Sequence, residues 1–190
     1  LSERDRKFIE SWLADQVPAL EVRPNFKRAT RSDGWGRHQV LEFSVLIENR
    51  DPNKWLEECE VEYFVIGRSV QDRDVHKVLS KQTAPLVLLP QEKETVAFRK
   101  IKSDYDRNSL VQINGTAGNM KALGYVLHIK RKRDGRTVYL ESPVRSLDDA
   151  KFVIVALNEG AVMDENFIAE EGAKPKDGAT RSSISVRSRR

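Results

Sequence analysis

The stretch Gly124–Ser142, GYVLHIKRKRDGRTVYLES, constrains the fold more than any other. Apolar and polar side chains alternate on both sides of Asp134-Gly135, a dipeptide that favours a two-residue type I′ turn because both central positions need positive φ. Such a turn predicts a hairpin in which Arg133 faces Arg136, Lys130 faces Tyr139, Ile129 faces Leu140 and His128 faces Glu141. Tyr125, Leu127 and Ile129 then share a face with Val138 and Leu140, while His128, Lys130, Tyr139 and Glu141 line the other. One apolar and one amphipathic side suits an antiparallel sheet covered on one face.

The same period of two recurs upstream. Val40–Glu48 places Leu41, Phe43, Val45 and Ile47 on one side, against Glu42, Ser44 and Glu48. Glu57–Ile66 turns Cys59, Val61, Tyr63 and Val65 inward. Leu20–Thr30 alternates more weakly, and Pro24 marks it as an edge strand. Arg73–Gln82 and Glu92–Ile101 read as further strands, with an apolar block, Leu86–Leu89, fenced by Pro85 and Pro90. Lys102–Lys121 reads as a long polar loop, and loops of that length are functional or mobile. Seven or eight strands separated by turn signals predict a mainly β fold, an immunoglobulin-like antiparallel β-sandwich. Cys59 is the single cysteine, so neither the inter-sheet disulfide of antibody domains nor a Cys-rich zinc site can form.

Two helices are expected beside the strands. Ser2 as cap, Glu3 and Asp5 in the first turn, and the stripe Phe8, Ile9, Trp12, Leu13 predict an N-terminal helix that Pro18 ends. Ser146 and Gly160 bracket a short C-terminal helix that would close one end of the sandwich. Against it, Phe152-Val153-Ile154-Val155 is β-branched and would suit a buried strand. The expected organisation is therefore residues 1–18 as the end of an upstream module, 19–160 as the sandwich and 161–190 as a flexible basic tail. Low-complexity composition sets in from Ala169.

No apolar run reaches the roughly 18 to 20 residues of a membrane span, so none is expected. The formal net charge is +4 and unevenly placed, with cations concentrated at Lys130–Arg136 and in the last ten residues; without that tail the body is nearly neutral. That pattern does not favour nucleic acid, since no aromatic platform accompanies the cations. The basic hairpin tip, Lys130, Arg131, Lys132, Arg133 and Arg136, is the most concentrated feature and a candidate site for an anionic partner. Its alternative is a solvated tip that discourages sheet-to-sheet pairing. Trp35, between Gly34 and Gly36, and Tyr139 are candidate stacking faces for a sugar ring, or else fold back on the core.

Reactive chemistry finds little purchase. His38, His76 and His128 lie in separate segments without metal-ligand spacing. Asp104-x-Asp106-x-Asn108 opens like a calcium loop but has Ser109 at the sixth position and Gly115 at the twelfth. Cys59 is expected to be core rather than nucleophile. Asn114-Gly115-Thr116 matches a glycosylation acceptor, a pattern frequent by chance. No catalytic residue, metal or cofactor is expected.

The segment Leu1-Ser2-Glu3-Arg4-Asp5-Arg6-Lys7-Phe8-Ile9-Glu10-Ser11-Trp12-Leu13 resembles the closing end of the bacterial SLA1-homology-1-like module, in which a small β-barrel ends in such a motif and a helix. The sandwich that follows is similar in plan to immunoglobulin-like domains that accompany this module in secreted bacterial proteins, including some encoded with pilus or fimbria machinery. The resemblance implies an extracytoplasmic, non-catalytic protein and supplies no catalytic residues. Two function classes follow. One is an interaction or structural module of the bacterial envelope, with an envelope or pilus protein, or a second copy of itself, as partner. The other is a carbohydrate-binding module for acidic glycans. A hydrolase whose groups converge only on folding is the third reading.

Overall fold

The computed structural model describes residues 3, 17–32, 37–105 and 119–169. The expected helix over residues 1–18, the Gly34-Trp35-Gly36 turn, most of the Lys102–Lys121 segment and the Arg-rich end lie outside the described residues. What is described is mainly β, in two antiparallel sheets.

In the first sheet β1 (Leu20–Ser32) pairs β2 (Arg37–Asn49), whose other edge carries β5 (Lys93–Ala97) and β6 (Ile101–Tyr105) end to end. Pro24 lies on β1, which pairs β2 alone, so the missing N–H breaks no ladder on its outer side. The second sheet runs β8 (Thr137–Glu141), β7 (Met120–Arg131), β3 (Leu56–Ser69), β4 (His76–Leu88), β9 (Val162–Met163). The segments expected as a strand and a separate apolar block are one strand, β4. Pro85 sits inside it, beyond the two residues that β9 pairs, where no outer neighbour needs its N–H.

Alternation does the folding. Leu41, Phe43, Val45 and Ile47 of β2 face Cys59, Val61, Tyr63 and Val65 of β3 and Leu127 and Ile129 of β7 in one shared core. The Phe43 and Tyr63 rings stack between the sheets at 4.0 Å and 5°. Each such aliphatic side chain removed from water stabilises the fold by about 1.5–3 kcal/mol. Buried polar groups stitch the layers at one end. Gln39 on β2 accepts the Ala122 N–H of β7 at 3.1 Å, and the Ser103 hydroxyl of β6 donates to Met120 O at 2.8 Å.

The hairpin differs from expectation in its turn. Gly135 takes φ 68°, but Asp134 does not join it at positive φ. Instead the Asp134 carboxylate accepts from the Arg131 guanidinium at 3.0 Å and from the Arg136 N–H at 3.1 Å. The result is a four-residue loop, with Gly135 N–H on Arg131 O and Arg131 N–H on Arg136 O. The register therefore shifts: Ile129 faces Tyr139, His128 faces Leu140, and Leu127 faces Glu141, with a bulge before the Lys130–Thr137 pair. A one-residue slip exchanges faces. Tyr139 thus packs against the core between the sheets, and Leu140 lies on the outer side.

The second sheet is covered on its outer face too. Its outward apolar residues Phe64, Ile66, Val78 and Val126 are buried under Leu147, Ile154, Met163 and Phe167. Leu147 lies on α1 (Arg145–Asp149) and Ile154 on α2 (Lys151–Ile154), two short turns separated at Ala150 that each bury one residue in this cluster. The helical expectation for Ser146–Gly160 holds in kind, but the two turns lie over the sheet rather than closing an end, and Ser146 is not the cap. Gly124 permits the close approach: a Cβ there would stand 2.6 Å from Val144. Residues 161–169, assigned to the tail on composition, carry β9 and the buried Ala161, Met163 and Phe167.

Candidate functional site

The outer face of the second sheet has three zones along its strands. At one end lies the apolar patch under α1 and α2. In the middle is a polar belt, and at the other end the apolar side chains return uncovered.

The belt centres on Glu62 of β3, which is nearly buried. Its carboxylate accepts from His128 Nδ1 at 2.9 Å and from Lys130 Nζ at 3.0 Å, with Lys81 Nζ at 3.6 Å. Burial raises its pKa, but the hydrogen bonds from His128 and Lys130 and the charges of Lys130 and Lys81 outweigh that and hold it at about 2. An ionised carboxylate requires the proton on His128 Nδ1. In the neutral imidazole Nε2 is then an acceptor, and the Thr137 hydroxyl donates to it at 3.0 Å. Lys81 lies over the Phe64 ring, 5.0 Å from its centroid. A carboxylate orienting a histidine that accepts from a hydroxyl is the logic of a nucleophilic triad. Here the three groups line none of the described grooves. The ladder satisfies buried polar atoms across three strands.

The predicted basic tip does not present one cationic face. Lys130 faces the belt and pairs with Glu60 at 3.3 Å as well as Glu62. Arg131 is buried on the core side opposite Cys59 and is held by Asp134. Lys132 pairs with Glu58 at 3.3 Å and Arg133 with Glu57 at 3.2 Å. Arg136 lies in the turn, its carbonyl accepting from Arg131. The acidic partners come from Glu57–Glu62 of β3, opposite the tip across the sheet. Tyr139 is half-buried against the core and donates to Glu141, and Trp35 lies outside the described residues. Cys59 is buried as expected, its thiol pushed up to about 11 by that burial. His76 packs on Phe167 with ring centroids 4.5 Å apart, far from His128 in role. Among the described residues no cluster of His, Cys, Asp and Glu is assembled that could hold a metal.

Sequence reading passed over the third zone. Trp55, Val87 and Leu89 are 57%, 44% and 57% exposed. Leu56 and Leu88 are paired and buried inward, so Trp55 and Leu89 flank them on the outer face with Val87 beside them. A bulge between Leu56 and Cys59 opens a groove of about 650 Å³ lined by Trp55, Glu57, Glu58, Val87, Lys132 and Arg133. A second groove of about 260 Å³ continues it along Thr83–Val87. Asn49 braces the zone from within: fully buried, it donates through Nδ2 to Lys54 O at 2.7 Å and Leu89 O at 3.1 Å, and accepts from Asp51 N–H at 3.0 Å. The sequence did hold one signal. Leu86–Leu89 is four apolar residues in a row, and a strand turns alternate residues to opposite faces.

No family model matches the chain, and no curated protein matches it. A crystal structure from Akkermansia muciniphila is similar over 81% of this chain and 89% of its own, at 11% identity and a TM-score of 0.35. A likeness of that size carries no argument about fold family or function.

Proposed function

We infer that the protein is a non-catalytic interaction module acting through protein–protein contacts, and that its contact surface is the bare outer end of the second sheet. The observation that carries this reading is the exposure of Trp55 and Val87 in one groove, with the exposed Leu89 near Val87 in the chain and the buried Asn49 holding the Lys54 and Leu89 carbonyls. Contiguous apolar side chains rimmed by charged ones are the composition of a partner surface. Strand addition at the neighbouring β4 edge is disfavoured. The Lys81 N–H is taken by Glu159 at 3.0 Å, Pro85 has none, and the Leu89 N–H is taken by Glu92 at 2.8 Å. Contact through side chains is what the surface leaves available.

The strand order supports an immunoglobulin-like sandwich: first, second and fifth strands in one layer, with third, seventh and eighth adjacent in the other. Together with the Leu1–Leu13 resemblance, it favours an extracytoplasmic protein of the bacterial envelope, one that works beside pilus or fimbria components. The test is retention of envelope proteins by the immobilised chain and by Val87→Glu. A partner, whether an envelope protein or the free chain itself, held by the first and lost by the second supports the reading; equal retention by both, or no partner of either kind, removes it. Trp55 also favours a second reading, a carbohydrate module, because an exposed indole stacks on sugar rings. Glycan binding that Trp55→Ala abolishes and Val87→Glu spares would put it first.

A further inference from the structure

We propose that the bare end of the second sheet is the contact surface of a homodimer, its partner a second copy of this chain. The proposal rests on the protein-contact reading above and names its partner. The argument is charge complementarity. The groove carries an apolar centre, Trp55 and Val87, with Leu89 next to it, and a rim of two opposite-charge pairs, Glu57–Arg133 and Glu58–Lys132. A rim of equal cations and carboxylates presents no net charge for an acidic or a basic partner to match. It does match its own image. In a two-fold contact the same patch meets itself, so each side must offer both signs. A symmetric arrangement lets Lys132 of one copy reach Glu58 of the other while the apolar centres cover one another.

The exposure of the rim makes that exchange cheap. Lys132 and Glu58 side chains are 61% and 71% exposed, and a pair so placed contributes little within one chain. Swapping an internal partner for one across the interface therefore costs little, and burying Trp55, Val87 and Leu89 supplies the gain. Asn49 fixes the Lys54 and Leu89 backbones before association, so little ordering remains to be done on binding. Pairing of β4 edges is disfavoured, because Pro85 and the Glu159 and Glu92 caps take three donors from that edge.

Sedimentation equilibrium of the whole chain across a wide concentration range tests this. The expected result is a monomer–dimer equilibrium that Val87→Glu shifts at least tenfold toward monomer, while its circular dichroism and dilute-solution melting stay those of the parent. Glu58→Lys alone is expected to weaken the dimer by setting lysines against Lys132, and Glu58→Lys with Lys132→Glu to restore it. A parent chain that stays monomeric throughout, or a dimer that Val87→Glu leaves intact, overturns the proposal. Retention of a different envelope protein in the same Val87-dependent manner by a strictly monomeric chain would sink the homodimer and keep the protein-contact reading. Loss of both would sink the two together.

Discussion

The two ends of one sheet face make an instructive pair. At one end Phe64, Ile66, Val78 and Val126 point outward and are fully buried, because the chain returns over them with Leu147, Ile154, Met163 and Phe167. At the other, Val87 of β4, with Trp55 just before β3 and Leu89 just after β4, is exposed, and no described segment covers the three. Both patches would lose free energy to water if left bare, yet among the described residues only one has a cover. Between them the Glu62–His128–Lys130 belt marks where the internal cover stops. The difference teaches that apolar residues on an outer sheet face are not by themselves a binding site; what matters is whether the chain supplies the lid.

Substitution at each end separates the two roles most strongly. Leu147→Ala empties a fully buried position under α1 and is expected to cost about 3 kcal/mol, read as a lowered urea midpoint. Val87→Asp, at an exposed position, is expected to shift that midpoint by less than about 0.5 kcal/mol in dilute solution. Equal losses at both would mean that the bare end is part of the folded core and not a contact surface.

The belt between the ends answers to pH. Glu62 has a folded pKa of about 2, below its ordinary 4.5. A depressed carboxylate stabilises the fold above its unfolded value and loses that contribution as pH falls from 4.5 toward 2. The full shift corresponds to about 3 kcal/mol. Urea unfolding at pH 6 and pH 3 should show a drop in the parent that Glu62→Gln largely lacks, since no carboxylate remains there to protonate. An equal drop in both would place the acid sensitivity elsewhere and dissolve the belt as a distinct zone.

Much of this comparison could be read from the chain, and the parts that could not have definite causes. Period-two alternation carried the inner faces of β2 and β3, and Pro24 marked its edge, because both follow from local backbone geometry. The hairpin register did not follow from Asp134-Gly135, since the Asp134 carboxylate serves Arg131 and Arg136 instead of letting its backbone enter positive φ. The cationic run Lys130–Arg133 reads as a basic hairpin tip whose residues alternate faces, but its partners are not legible: Lys130, Lys132 and Arg133 meet carboxylates some 70 positions earlier in the chain, and Arg131 meets Asp134 three positions on. Ser146 and Gly160 signalled a short helix, yet start and stop signals alone do not say which surface it covers. Trp55 went unremarked because one tryptophan at a strand start carries no period; only its pairing beside Leu89 makes it part of a zone.

Asn49 sharpens the bare end further. Asn49→Ala leaves Lys54 O, Leu89 O and Asp51 N–H without their buried partner, at an expected cost of about 2 kcal/mol. If the amide pre-organises the contact surface, the variant at a temperature where it is still folded should also associate more weakly than Val87→Ala would explain. Full association by a destabilised Asn49→Ala would confine the residue to the fold.

The smallest effect runs in the opposite direction and checks the inner side of the same strand. Tyr63 alternates with Glu62 on β3, and its hydroxyl is buried between the sheets with no hydrogen-bond partner among the described residues. Burial pushes its phenol pKa up, which fits a hydroxyl surrounded by Phe43, Phe98 and Tyr125 rings. Removing an unsatisfied buried hydroxyl while keeping the ring should raise stability by about 1 kcal/mol, visible as a higher melting temperature for Tyr63→Phe. The outer face needs its polar atoms because each has a partner, and the inner face is expected to gain by losing this one. A melting temperature that falls instead would mean that the hydroxyl reaches a partner in solution, and that the inner layer is not the purely apolar counterpart of the outer one.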